Sequence, residues 1–299
     1  MDYLKIIKKL GKDRIKLAEP IAKHTTYRIG GPADLFYEAK TEEELVKAIK
    51  LARKLKIPYF ILGGGSNVLV SDKGFRGLVI KIRNTQYVIR NTRIIAGAGL
   101  QLARVVQLTA ENSLSGLEFA AGIPGTVGGA VRGNAGAWSQ SVGERILRAK
   151  VLISDGRVKW IKGSNCQFAY RHSRFKESGE IILKAEFSLK LGDKEEIKKK
   201  IDENLKKRSG QPREPSLGCI FVNPKPDSAG RLIDEAGLKG KQIGQAQISP
   251  KHANFIVNLG GASCDDVLEL IMLAKKEVKK KFGVDLKEEI EIIHENIKA

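Results

Sequence analysis

Between Gly116 and Gly136 the chain reads GLEFAAGIPGTVGGAVRGNAG, and no other stretch limits its fold so strongly. Seven of these 21 residues are glycine, and Pro124 adds a fixed bend. Hardly any large side chain interrupts it between Ile123 and Asn134. A backbone this bare can reach positive φ and approach a neighbour or a ligand closely. Its N–H groups can then line an anion site, as phosphate-cradling loops do. A second bare stretch lies upstream, Leu62-Gly63-Gly64-Gly65-Ser66-Asn67, and apolar strand-like residues flank both. One such stretch would read as an ordinary tight turn; two favour the halves of one cradle for a large phosphorylated cofactor.

A chain of 299 residues has room for two or three domains. Hydrophobic content of 42% beside 29% charged residues predicts a packed protein rather than disorder. No apolar run approaches the roughly 18–20 residues of a membrane span. The start, MDYLKIIKKLGKDRIKLAEP, has no signal-peptide core, so a cytoplasmic protein is expected. Its Tyr3, Leu4, Ile6, Ile7 and Leu10 predict an amphipathic helix. Cys166, Cys219 and Cys264 are far apart and indicate neither a disulfide framework nor a zinc site. His24, His172 and His294 lack ligand spacing, and no metal is expected. The net charge of +19 has three readings. They are a nucleic-acid surface, the solvated Lys/Glu faces of a heat-adapted chain, and attraction of a polyphosphorylated ligand. Composition leaves all three open.

In chain order, Thr25, Thr26, Tyr27 and Ile29 read as a strand broken at Gly30-Gly31-Pro32. Thr41-x-x-Glu44 reads as a capping box opening a helix with Leu45, Ala48, Ile49, Ala52 and Leu55 on one face. Pro58 ends it, and Tyr59–Leu62 runs as a strand into the first glycine stretch. Strands follow at Val68–Val70 and Leu78–Ile82, then a strand-like pattern from Asn84 to Ala96. Gly97-Ala98-Gly99 before a helix mimics a dinucleotide fingerprint, but Leu102 stands where the third glycine belongs and no repeated βαβ halves follow. A hairpin around Asp155-Gly156, an alternating strand over 180–191 and a helix over 194–208 come next. The last predicted elements are helices at 228–236 and 263–282 and strands at 253–259 and 286–293.

Eight segments occur together in one order: 24–35, LGGGSNVL (62–69), 116–136, YRHSRF (170–175), GCIFVNP (218–224), AGRLIDEAGLKG (229–240), SPKHANFIVN (249–258) and LKEEIEII (286–293). With these the chain resembles the UDP-N-acetylenolpyruvoylglucosamine reductase (MurB) family, in its shorter subtype. The resemblance implies an α+β fold. Its two-part FAD-binding portion is of the flavin-oxidase (PCMH-like) type, joined to a C-terminal α/β substrate domain. The implied boundaries are 1–82 with 286–299 returning to it, 83–208, and 209–285. It implies FAD and NADPH as cofactors, a UDP-sugar as substrate and a role in peptidoglycan precursor synthesis.

Residue by residue, the resemblance places Gly63, Gly64, Gly65, Ser66 and Asn67 in the pyrophosphate loop. Gly122, Ile123, Pro124, Gly125, Gly128 and Gly129 fall in the second loop, and Asn134, Ala135 and Gly136 near the flavin. Arg171 would hold and polarise the substrate carboxylate, for which a planar guanidinium is suited. Glu289 would help stabilise the enolate-like charge. Cys219 stands where the family commonly has the serine proton donor; a thiol is the stronger acid of the two. Glu291 and His294 stand where arginine and glycine are usual. Tyr170, Asn223, Lys239, His252 and Asn254 match or neighbour substrate positions, with His252 balanced against a core histidine, and Lys207 or Arg208 could reach a phosphate. The rivals are another flavin enzyme of this fold and a basic nucleic-acid-binding protein. The first lacks a covalent-attachment residue in the glycine loops, and the second lacks aromatic platforms among its lysines.

Overall fold

The protein is described by a computed structural model over residues 3–295; Met1, Asp2 and 296–299, which the expected first unit includes, lie outside the described residues. Helix α1 (Tyr3–Leu10) buries Ile6 and Leu10, as its apolar spacing requires. Strand β1 (Ile15–Pro20) then pairs antiparallel with β2 (Pro32–Ala39). The strand expected over Thr25–Ile29 is a loop. Arg28 has φ 58°, and the hydroxyls of Thr25 and Thr26 donate to the carbonyls of Ile29 and Ser216. Helix α2 (Glu42–Lys54) starts at Thr41, whose hydroxyl accepts from Glu44 N–H. The Glu44 carboxylate accepts instead from Lys40 N–H, so half of the predicted box forms. Strand β3 (Tyr59–Leu62) lies parallel to β5 (Phe75–Ile82), giving a sheet ordered β1-β2-β5-β3; β4 (Val68–Val70) stands apart from it.

The next section holds a five-stranded antiparallel sheet. The single strand expected over Asn84–Ala96 is a hairpin, β6 (Tyr87–Arg90) and β7 (Arg93–Gly97), with Asn91 taking φ 51° at the turn. The fingerprint-like Gly97 and Gly99 fold tightly onto Asn84: a Cβ at either would lie 2.6 or 2.8 Å from it. Their glycines therefore serve a backbone contact and not a nucleotide turn. Helix α3 (Leu102–Glu111), β8 (Leu114–Ser115), α4 (Val127–Gly133) and the short hairpin β9 (Gly136–Ala137)–β10 (Gln140–Ser141) follow. Strands β11 (Ile146–Leu152), β12 (Val158–Lys162) and β13 (Ile181–Ser188) complete the order β12-β11-β13-β7-β6. Strand β14 (Lys190–Leu191) and helix α5 (Lys194–Arg208) close the section, with Ile197 the buried member of the predicted stripe.

Helix α6 (Ala229–Glu235) stops before Gly237 at φ 76°. Strands β15 (Gln242–Ile243), β16 (Ala246–Ile248) and β17 (Ile256–Asn258) form an antiparallel sheet under α7 (Cys264–Phe282). Both bonds of the Ser263/Asp266 capping box are present there, and Gly283 ends the helix in the left-handed region. The last strand is shorter than expected. Only β18 (Glu291–Ile293) is extended in a ladder, parallel to β4, because the preceding residues bond elsewhere: Val222 N–H donates to Lys287 O and Glu289 N–H to Ile220 O. The fold is α+β. One apolar cluster joins α1, α2 and one face of the first sheet to the second sheet. Another fills the C-terminal section and reaches back to Tyr27, Ile29 and Leu69.

Across the junction of the first two sheets stands Glu42, 9% exposed. Its carboxylate is 2.5 Å from Lys150 Nζ and 3.0 Å from Lys184 Nζ. Those lysines face each other on β11 and β13, where like charges repel unless an anion lies between them. Glu42→Gln is expected to lower unfolding free energy by about 1–3 kcal/mol. Adding Lys184→Met should restore most of it; urea unfolding midpoints measure both.

Candidate active site

The two glycine ribbons touch. A Cβ on Gly64 would lie 2.7 Å from Gly125 Cα, and one on Gly63 2.7 Å from Thr126 Oγ1. Ser66 Oγ donates to Pro124 O at 3.3 Å. Gly65, at φ 69°, presses on the His24 carbonyl, where a Cβ would sit 2.3 Å away. Gly63, Gly64 and Gly65 thus let the first ribbon pack against the second and against the His24 backbone. Gly122 receives the Arg208 side chain, Gly128 rests on Ala98, and Gly129 has more room, with Thr126 Oγ1 3.8 Å from its would-be Cβ. Behind the first ribbon, buried Lys81 donates to His24 O at 3.1 Å; burial pulls its pKa down to about 8.

Polar atoms along this edge are left without protein partners. Among the described residues, no acceptor bonds the main-chain N–H of Gly64, Gly65 or Ser66. Thr126 Oγ1, buried at the start of α4, is also unpartnered. Gly65 and Thr126 are buried, and buried donors without partners are costly and rare in folded chains. An anionic diphosphate would satisfy them, so the residues present fit such a cofactor.

Asn67 brings the Glu289 carboxylate in. Its Nδ2 donates to Glu289 O at 3.1 Å, and its own carbonyl accepts from Glu291 N–H at 2.9 Å. Glu289 Oε1 lies 2.7 Å from Arg171 Nε, and Glu291 pairs with Arg132. The first contact is Coulombic, since its N–H is off the line of a hydrogen bond. Arg171 holds φ 54° in a tight turn closed by paired Ala169 and His172, a backbone state that costs free energy. The Glu291 departure noted in the sequence has a physical partner: Arg132, the one large side chain of α4.

Burial raises the Glu289 pKa, against the pull of Arg171 and Lys176. Burial lowers those of Arg132, Lys176 and Arg208. The carboxylate therefore sits among several cations in a half-dry site. Cys219 is beside them. Its pKa is pushed up to about 12, chiefly by burial and then by Glu289, while Arg171 and Arg208 oppose the rise. Sequence reasoning did not find Arg132 or Lys176. The signal was a lone cation inside the small-residue run of α4, and a lysine in the same short loop as Arg171.

Several of the expected residues make structural contacts. Asn134, 4% exposed, donates to Ala169 O and accepts from Gly143 N–H, tying the chain after α4 to the Arg171 loop. Ala135 and Gly136 belong to the same turn, Ala135 N–H bonding Ala130 O and Gly136 starting β9. Asn254, 2% exposed, bonds both polar groups of the Phe221 backbone through its amide, which steadies neighbouring Cys219. Asn223 Oδ1 accepts from Ala229 N–H at the start of α6. Lys239 pairs with Asp234 on the surface. His252, its pKa lowered by burial, accepts from Asn254 N–H and packs on Phe255. Tyr170 is exposed, with Arg171 Cζ 5.2 Å from its ring centre. Ile123 and Pro124 lie in the second ribbon. A groove of about 770 Å³ elsewhere, between α1, α2 and β12, is lined by Lys9, Val46, Lys50 and Val158 and is remote from this chemistry.

Residues 33–162 match the FAD binding domain family, and residues 211–293 match the UDP-N-acetylenolpyruvoylglucosamine reductase C-terminal domain family. Fold and site are thus those of an FAD-dependent oxidoreductase. The chain is 44% identical to UDP-N-acetylenolpyruvoylglucosamine reductase from Caldanaerobacter subterraneus subsp. tengcongensis, over 99% of this chain and 98% of the relative. Identity to the protein of that name from Halalkalibacterium halodurans is 43%, over 94% and 95%. The crystal structure of UDP-N-acetylenolpyruvylglucosamine reductase (MurB) from Thermus caldophilus superposes with a TM-score of 0.82 at 39% identity, covering 94% of this chain and 99% of that one. The chain belongs to the UDP-N-acetylenolpyruvoylglucosamine reductase family.

Because Gly64 meets backbone rather than a movable side chain, Gly64→Ala is expected to cost about 1–3 kcal/mol and to release bound flavin. Gly133→Ala, with nothing within 4 Å of its would-be Cβ, is the control. Thermal melting and the flavin absorbance of the purified proteins compare them.

Proposed function

We propose that the protein reduces UDP-N-acetylglucosamine enolpyruvate to UDP-N-acetylmuramate in peptidoglycan precursor synthesis in the cytoplasm, using FAD and NADPH. The observation that carries this reading is the Arg171–Glu289 pair beside Cys219, at the edge of the touching glycine ribbons. The N–H groups of Gly64, Gly65 and Ser66 and the Thr126 hydroxyl would hold FAD. When bound, the cofactor supplies hydride to C3 of the enolpyruvyl group, having been reduced by NADPH. Pairing of β18 with β4 supports counting the C-terminal segment with residues 1–82, beside units at 83–208 and 209–285.

The protein's own residues handle charge and proton. Arg171 takes the substrate carboxylate and stabilises the negative charge that builds on C2 and the carboxylate. Its rigid turn fixes the guanidinium before substrate arrives. Glu289 loses part of its counter-charge in that exchange, and burial then favours its neutral acid, a hydrogen-bond donor to the same carboxylate. Cys219 delivers its proton to C2. Arg171 and Arg208, which already favour the thiolate, stabilise the charge left on sulfur. Solvent returns the proton after product leaves.

Anaerobic bleaching of the flavin by NADPH, followed by recovery on adding the enolpyruvyl substrate, tests the reaction; no recovery would overturn it. Cys219→Ala is expected to lose about 100-fold or more in kcat, with Cys219→Ser within about 10-fold of the parent. Equal activity in all three would remove Cys219 from the chemistry. A raised pKa keeps the donor form, the thiol, present until pH rises through that value. The parent enzyme should therefore show no alkaline loss from Cys219 through the neutral and mildly alkaline range, measured as a kcat profile. Arg171→Lys is expected to lower kcat/KM by about 100–1,000-fold.

A further inference from the structure

The β9–β10 hairpin turns on two residues, Trp138 and Ser139, with φ 55° and 59°. Positive φ at both positions is the type I′ turn, which Asn-Gly adopts readily and L side chains adopt at a cost. Here a tryptophan occupies the first position and stays 42% exposed. Lys207 Nζ stands 5.3 Å from its ring centre and Arg208 Cζ 5.9 Å. Cation–π contacts at an exposed site are weaker than the cost of two left-handed side chains, so they do not account for the placement. The other tryptophan, Trp160, lies within a sheet strand beneath Arg148, 4.3 Å from its ring centre.

The hairpin is rigid and aimed. Asn134 ties its entry to Ala169, next to the Arg171 turn, and Ser141 and Glu144 form a capping box at its exit. Arg208 bridges from the indole to the site. Its side chain lies against Gly122, its Nε is buried without a partner, and its charge acts on Cys219 and Arg171.

We propose that Trp138 is the stacking platform for the base of a nucleoside diphosphate, with Lys207 and Arg208 receiving the phosphates. The proposal rests on the nucleotide-dependent reaction given above. On binding, the phosphates draw the two cations from the ring, and the base takes their place. Every base presents a π-face to an aromatic side chain. The ligand chemistry has two sources, the uridine diphosphate of the substrate and the adenosine diphosphate portion of NADPH.

The test titrates flavin-loaded protein with UDP and, separately, ADP by calorimetry. Trp138→Ala is expected to weaken binding by about 10-fold and Trp138→Phe by no more than about 3-fold. Trp138→Gly, which relieves the left-handed strain, should weaken binding as alanine does while melting no lower than the parent. A purely structural tryptophan would not produce that split. Weakening of UDP alone assigns the platform to the sugar nucleotide; weakening of ADP alone assigns it to NADPH. Parent-like affinity for both in Trp138→Ala overturns the platform. If the parent still bleaches with NADPH and recovers with the enolpyruvyl substrate, only the platform fails. A parent that binds neither probe and does not recover sinks the platform and the reaction together.

Discussion

One asparagine decides where the site forms. Asn67 closes the first glycine ribbon and grips the C-terminal segment by two bonds, to Glu289 O and from Glu291 N–H. The parallel pairing of β18 on β4 continues that grip for three residues. Without it, Glu289 would belong to the C-terminal cluster, which its N–H already joins through Ile220. With it, the carboxylate lies against an arginine from the second sheet's loops. Three parts of the chain thus meet at one point, and main-chain bonds, more than the ion pair, set the geometry.

Around that point burial and charge oppose each other. Desolvation is the largest influence on Glu289, Lys176 and Arg208 and favours their neutral forms, while attraction between Glu289 and its neighbours Arg171 and Lys176 offsets it in part. That balance suits a site that must bind an anion, bear a growing negative charge and then deliver a proton. The Arg132–Glu291 pair beside it balances one cation that α4 would otherwise bury alone.

Much of this was legible in the sequence. The helices were readable because caps and apolar spacing are local: Thr41, Ser263 and Gly283 act where they were expected. The glycine ribbons were readable as special, but their reason was not, because contact between Gly64 and Gly125 is a fact of tertiary packing. The strand expected at Thr25–Ile29 is a loop in which Thr25 bonds local carbonyls, Thr26 bonds distant Ser216 and Arg28 takes positive φ, none of which β-propensity registers. Arg171, Cys219 and Glu289 were found by family likeness rather than by spacing. The backbone bonds of Asn134 and Asn254 were not legible, because an asparagine that holds backbone and one that holds a ligand look alike in sequence.

Cysteine at a proton-donating position carries a hazard that serine does not, since thiolates are attacked by peroxide and disulfides. The surroundings of Cys219 limit it. Burial, and then Glu289 beside it, hold its pKa well above the usual thiol range, so the reactive anion is disfavoured at neutral pH. The same desolvation that makes the thiol a reluctant acid therefore shields the enzyme from oxidants between turnovers.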